Sequence, residues 1–170
     1  MESKKSDQLV NLGKTTARLL ALQILYSENF DESTQREVLL DDCLEKYKIG
    51  EIYSDMVQKD DSIIEPDNNF LKMLLVTTQS NIGDIDANIA QFLKSGWTLD
   101  KIDPVVKVIL RLAVCELLFF GDVPHKVIID QYVSLVGDFY IKQEIGFVNA
   151  MLDALAKKIR GLGEKASEGV

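Results

Sequence analysis

The sequence predicts an all-α protein of about seven helices, and three observations predict it. Apolar residues recur three and four apart through most of the chain, and no segment alternates apolar and polar with period two. Only three prolines occur in 170 residues, and one of them directly follows an aspartate at the head of the most apolar run. At 46% hydrophobic residues, the chain can form one domain with a real core or two small helical subdomains.

The elements follow in order. Residues 1–13 are polar and are expected to be disordered. A first helix is expected from Thr15 or Thr16, either of which can cap it, through "ARLLALQILYSEN". Leu19, Leu20, Leu22, Ile24, Leu25 and Tyr26 cover most of its circumference, which marks a buried element, while Lys14 and Arg18 share one exposed face near its start. A second helical region, 34–59, carries the interrupted stripe Leu40, Cys43, Leu44, Tyr47, Ile52, Met56 and Val57, with Gly50 breaking or kinking it. The acidic "QKDDSIIEPDNN" is a loop ending in Asp67, a capping residue for "FLKMLLVTTQS", whose Phe70, Leu71, Leu74 and Leu75 face inward.

Ile82, Ile85, Ile89, Phe92 and Leu93 make 82–94 an amphipathic helix, closed at "KSGW" by Gly96. Asp103-Pro104 is a helix start, a capping carboxylate followed by proline in the first turn. The helix it opens, "PVVKVILRLAVCELLFF", is apolar almost all round, the mark of a bundle's central helix, with Leu110, Leu112, Leu117 and Leu118 in the core and Gly121 as its end. "DVPHKVIIDQYVSLVGDFY" gives a further helix with Val127, Ile128, Val133, Leu135 and Val136 inward. In the last helix Phe147, Val148, Met151, Leu152, Leu155 and Ile159 fall three or four apart, and residues 161–170 are a frayed tail. Asn149 lies among those apolar residues. It has four hydrogen-bonding sites to satisfy and a low helix propensity, so it is either a structural tie or a group that meets something other than protein.

Charge narrows the partners. The net charge is −8, but residues 27–69 alone hold thirteen acids and four bases, whereas residues 1–26 and 154–170 each carry a balance of +2. A polyanion is therefore permitted at the two ends and repelled by the middle segment. Cys43 and Cys115 match no metal-ligand or CxxC spacing, and in a chain without a secretion signal they read as reduced thiols of a cytoplasmic protein. Lys107, Arg111 and Glu116 interrupt the greasiest segment, so no membrane span is expected. His125 is the only histidine, and its place after Pro124 at a helix start points to exposure or capping. "GKTT" at 13–16 lacks the earlier glycine of a phosphate loop, since Gln8 stands there. Neither a catalytic constellation nor a dinucleotide signature is present, so the sequence predicts no enzyme and no cofactor.

Four stretches taken together, "ARLLALQILY", "IDPVVKVILRLAVCELLF", "DVPHKVIIDQYVSLVGDFY" and "FVNAMLDALAKKIR", resemble the NusB transcription antitermination family in order and spacing. The match covers the first helix and nearly everything from Trp97 to Arg160, so 14–160 is expected to be one NusB-like all-α domain, with 27–69 longer than usual. The resemblance implies two helical bundles packed together and a non-catalytic cytoplasmic protein without a required cofactor. It also implies binding to the ribosomal protein NusE, joint binding of boxA-type single-stranded leader RNA, and a place in the elongating RNA polymerase complex that supports ribosomal RNA synthesis. Carried over by position, the RNA face would comprise Lys14, Arg18, Gln23, Tyr26, Phe147 and Asn149, the phenylalanine stacking on a base and the asparagine reading a base edge. Glu116, on the central helix, would face NusE.

The chain departs from that pattern before its first helix, where "NLGKTTARLL" has two cations rather than an arginine-rich run. Two competing readings remain. One is an RNA cytosine methyltransferase, which would need a cofactor-binding α/β domain, and the absence of any strand–glycine-loop pattern argues against it. The other is a protein-only helical adaptor or homodimer.

Overall fold

The structure, a computed structural model, describes residues 2–29, 36–48 and 64–162. Among these it holds seven α-helices, one 3-10 turn and no strand: α1 (Glu2–Glu28), α2 (Arg36–Lys48), α3 (Asn68–Ser80), α4 (Ile82–Ala90), the turn Leu99–Lys101, α5 (Pro104–Phe119), α6 (His125–Phe139) and α7 (Lys142–Arg160). The all-α expectation holds. The chain divides into two compact units, Met1–Val76 and Thr77–Val170.

In the first unit α1 and α2 pack together. Ala17, Leu19, Leu20, Ala21, Leu22 and Ile24 of α1 are buried, as are Cys43 and Tyr47 of α2. The Tyr47 hydroxyl donates to the Ile64 carbonyl at 2.8 Å, which fixes α2 to the strand of chain entering α3. Asp67 caps α3 as its sequence position foretold: its Oδ1 accepts from the Phe70 amide at 3.0 Å. Phe70, Leu71, Leu74 and Leu75 are all buried, as expected.

Three expectations for this unit are corrected. The first helix begins at Glu2, so residues 2–13, read as disordered, are helical. Leu9 and Val10 there are exposed. Once residues 15–24 are buried as helix, extending it toward the N-terminus adds one backbone bond per residue without a new nucleation cost. Thr15 and Thr16 do not cap: their hydroxyls donate to the Asn11 and Leu12 carbonyls, both at 3.1 Å, one turn back inside the same helix. Arg18 does not lie on an exposed face. It is 2% exposed, and Lys14 is half-buried. The proposed stripe residues Ile52, Met56 and Val57, and the break at Gly50, lie outside the described residues, as does nearly all of the tail.

In the second unit α5, α6 and α7 pack against one another and α4 packs on α5. Asp103 Oδ1 accepts from the Val105 amide at 2.9 Å and the Val106 amide at 3.3 Å, with Pro104 in the first turn. Tyr140, just past α6, also donates its hydroxyl to Asp103, joining the start of α5 to the end of α6. Arg111 and Asp86 form a two-pronged ion pair, both contacts 2.8 Å, between α5 and α4. Leu110, Leu112 and Leu117 are fully buried, as expected, and Leu118 is half-buried. α4 ends at Ala90, four residues short of the periodic pattern, and Gly96 takes a left-handed φ of +83° that its lack of a Cβ permits. Val127 is exposed rather than inward, and the buried face of α6 is made by Ile128, Tyr132, Leu135 and Val136. Gly121 is not the stop expected: Phe120, with φ −111° and ψ 66°, ends α5.

The C-terminal end of α5 is closed from outside. Arg160, the last residue of α7, donates to the carbonyls of Leu117 (2.8 Å), Val123 (3.1 Å), Phe120 (3.1 Å) and Glu116 (3.2 Å). A helix leaves its last four carbonyls without intrahelical donors, and a guanidinium carries enough N–H groups in one plane to reach several of them.

Candidate functional site

The candidate residues fall in both units, and each set is built by its own unit. In the first, Gly13 comes directly before Lys14, where α1 meets the segment that opens α3. The Asp67 amide donates to the Gly13 carbonyl at 2.9 Å, and a Cβ on Gly13 would lie 3.4 Å from both the Asp67 nitrogen and the Glu65 oxygen. The same approach brings Phe70, held in the first turn of α3 by the Asp67 cap, under α1. Lys14 Nζ is 5.5 Å from the centre of the Phe70 ring and the Arg18 guanidinium carbon is 5.0 Å from it, both within cation–π range. Gln23 and Tyr26, further along α1, are half-buried.

Lys14 and Arg18 thus meet one ring rather than forming an exposed basic surface. Lys14 is the member with solvent access. Arg18 is too deeply set to reach a phosphate from where it lies, which corrects its assignment as an exposed contact. Phe70 is the residue that sequence reasoning placed only in the core. Its contact with the two cations depends on tertiary proximity between residues 14, 18 and 70, and no local pattern signals that.

In the second unit the candidates are on α7. Phe147 is 38% exposed, Asn149 is exposed, and Val148 between them is fully buried. Residues two apart on a helix point about 200° apart, so these two do not share a direction. They stand at the two edges of the exposed arc, and the positions between them on that arc are Gly146 and Ala150, both exposed. A Cβ added at Gly146 would meet nothing within 4 Å. The Asn149 side chain makes no hydrogen bond among the described residues.

Glu116 is corrected outright. It is 0% exposed, and its carboxylate accepts a hydrogen bond from the Tyr132 hydroxyl on α6. A side chain so placed holds helices together and offers nothing to a docking protein.

Among the described residues no group of three or more histidine, cysteine, aspartate or glutamate side chains is arranged to hold a metal, and no helix is long and apolar enough to cross a membrane. His125 is half-buried at the first position of α6. Both cysteines are free and buried, and burial pushes each thiol up from 9.0 to about 11, with the Asp42 charge adding at Cys43 and the Glu116 charge adding at Cys115.

The model of the NusB family matches residues 15–157. The transcription antitermination protein NusB of Sphingopyxis alaskensis is 31% identical over 147 residues, covering 86% of this chain and 94% of that protein. The same-named protein of Treponema denticola is 33% identical over 150 residues, covering 88% and 99%. A crystal form of T. maritima NusB superposes with a TM-score of 0.66 at 26% identity, covering 85% of this chain and 91% of that one. A complex of the antitermination factors NusB and NusE with double-stranded RNA contains a chain that superposes with a TM-score of 0.67 at 25% identity, covering 86% and 97%.

Proposed function

As the chain belongs to the NusB family, we propose that it is a transcription antitermination factor that binds boxA-type leader RNA together with NusE and supports ribosomal RNA synthesis within the elongating RNA polymerase complex. The family acts by binding and has no catalytic step. The observation that carries the reading is the similarity, across most of both chains, to a NusB solved together with NusE and RNA.

The residues proposed for RNA are Lys14, Gln23 and Tyr26 on α1 and Phe147 and Asn149 on α7, with Arg18 buried beside Phe70. Phe147 offers a partly exposed ring to a base, and Asn149 offers an amide with both donors and its acceptor open. Gly146 and Ala150 leave a low strip between them on which a nucleotide can lie close to the helix. The strongly acidic segment 27–69 repels phosphate, so the RNA is proposed to follow the mildly basic ends instead.

The test is a titration of a boxA-type single-stranded RNA, and of its duplex, with and without NusE, followed by light scattering of the protein alone and with RNA. Tight binding of the single strand only in the presence of NusE is the expected result. Stable self-association with no RNA binding in either condition would replace this reading with that of a protein-only module.

A further inference from the structure

We propose that Lys158 is a further RNA-binding residue, a phosphate contact that extends the RNA track along α7 from Phe147 to the C-terminal end of the helix. This rests on the RNA-binding reading above.

Phe147 and Lys158 are separated by close to three full turns of helix, so both side chains leave α7 on nearly one line, about 16 Å apart along its axis. On the solvent side of that line stand Ala150, exposed, and Ala154, half-buried, while Met151 and Leu155 on its other side are buried. No long side chain rises between the ring and the ammonium. The two lysines at this end of α7 are not alike. Lys157 Nζ is 3.0 Å from the Asp153 carboxylate one turn back, and the two charges cancel. Lys158 is exposed, and among the described residues no carboxylate pairs with it. Its Nζ lies 5.7 Å from the centre of the Phe92 ring and donates to the side-chain carbonyl of Gln91. Both partners sit just past α4, where the Phe92 amide donates to the Ile89 carbonyl at 3.1 Å, and α4 packs on α5. Lys158 is thus held by a fixed part of its own unit. An ammonium has three N–H groups, and one carbonyl does not use them all, so a phosphate oxygen can be met without breaking this arrangement. Holding the long stem in place also removes part of the rotamer entropy that a free surface lysine loses on binding. An aromatic face for a base and a cation for the backbone is the combination that holds single strands.

The experiment uses the full chain with NusE and a boxA-type single-stranded RNA oligonucleotide. It compares Lys158→Gln with the double variant Asp153→Asn/Lys157→Gln, each shown folded by circular dichroism. Lys158→Gln is expected to flatten the slope of log affinity against log salt by about 0.7, one phosphate contact on a single strand, so its loss relative to wild type grows about 2.6-fold for each fourfold dilution of salt. The double variant replaces a neutral pair by a neutral pair and should bind RNA like wild type. Shortening the oligonucleotide from one end should erase the effect of Lys158→Gln while that of Phe147→Leu persists, and shortening it from the other end should do the reverse. An unchanged salt slope in folded Lys158→Gln, or an earlier melt with RNA affinity intact, would overturn the inference and make the Lys158–Phe92 contact a tie between α7 and the end of α4. Loss of NusE binding in place of RNA binding would overturn it as well. Failure of the wild-type chain with NusE to bind RNA would instead remove both this inference and the functional reading beneath it.

Discussion

Tyr132 donates its hydroxyl to the carboxylate of Glu116 inside the second unit, where both side chains are 0% exposed. The pair joins α6 to α5 at the point where α5 is most apolar, and a buried carboxylate is tolerated only where hydrogen bonds replace its water. Tyr132→Phe keeps the ring and deletes the donor. It should lower stability by about 1–3 kcal/mol in a denaturant melt, because the buried acceptor loses a partner. RNA and NusE affinity of the folded variant should stay near wild type, since neither residue is on the surface.

Arg160 makes a second structural prediction. Its guanidinium serves four carbonyls around the end of α5. Arg160→Lys keeps the charge, but a single ammonium with three N–H groups cannot reproduce a planar fork. The lysine variant should therefore lose stability, by about 1–2 kcal/mol, and Arg160→Ala more, by about 2–3 kcal/mol. Equal stability of the lysine variant and wild type in urea melts would show that charge at the helix terminus, rather than the fork, is what matters.

Much of the scaffold was legible because its signals are local. Asp103-Pro104 and Asp67 announce helix starts by side-chain chemistry at fixed offsets, and both cap as read. Leu110, Leu112 and Leu117 are buried because a helix that is apolar all round has nowhere else to be. What failed was context. Lys14 and Arg18 look like a solvated pair until Phe70 arrives from more than fifty residues away, and Glu116 looks like a surface charge until Tyr132 meets it. Thr15 and Thr16 have the composition of caps, yet a hydroxyl that can bond one turn back sits equally well inside a helix whose N-terminal turns happen to continue. The candidate RNA residues on α7 were found through family resemblance, and the structure adds that Phe147 and Asn149 lie at opposite edges of one exposed arc.

The two cysteines report on the two units separately, Cys43 in the first and Cys115 in the second. Each thiol is raised from 9.0 to about 11 by burial. In the folded state the proton is therefore held through the window from 9 to 11, where the unfolded chain has already lost it. Stability is unaffected below that window and falls as pH rises through it, by about 1.4 kcal/mol per pH unit per fully protected thiol. At pH 8 the thiolate fraction is about a hundredfold lower than for an ordinary thiol, so reaction with a disulfide reagent should be slow in native protein and fast in denatured protein. Rapid native labelling of one cysteine only, read by mass spectrometry, would identify the unit that opens first.

Gly146 lies within α7 with open space where a Cβ would go. Glycine inside a helix costs about 0.5–1 kcal/mol relative to alanine, so Gly146→Ala should raise the stability of the isolated protein by roughly that amount. If the strip between Phe147 and Asn149 carries RNA, the added methyl should at the same time weaken RNA binding. A stabilised variant with wild-type affinity would mean that RNA does not come close to the helix there.

Asn149 decides between a tie and a contact. Its exposure on α7, and its lack of a hydrogen-bonding partner among the described residues, predict that Asn149→Ala leaves the melting curve within about 0.5 kcal/mol of wild type, the usual range for a surface change. Bound to NusE, the same variant should lose RNA affinity by about 1–3 kcal/mol if the amide reads a base edge, with NusE affinity itself unchanged. The salt dependence separates this from the cationic contacts. For single strands the slope of log affinity against log salt is about −0.7 per phosphate neutralised, so the chain alone, with Lys14 and the Lys157/Lys158 end as its cations, should show a shallow slope of about −1.5 to −3. Asn149→Ala removes no charge and should shift the line without tilting it, whereas Lys14→Gln should flatten it by about 0.7. An Asn149 variant that melts early, or that loses RNA and NusE together, would make the residue a structural tie after all.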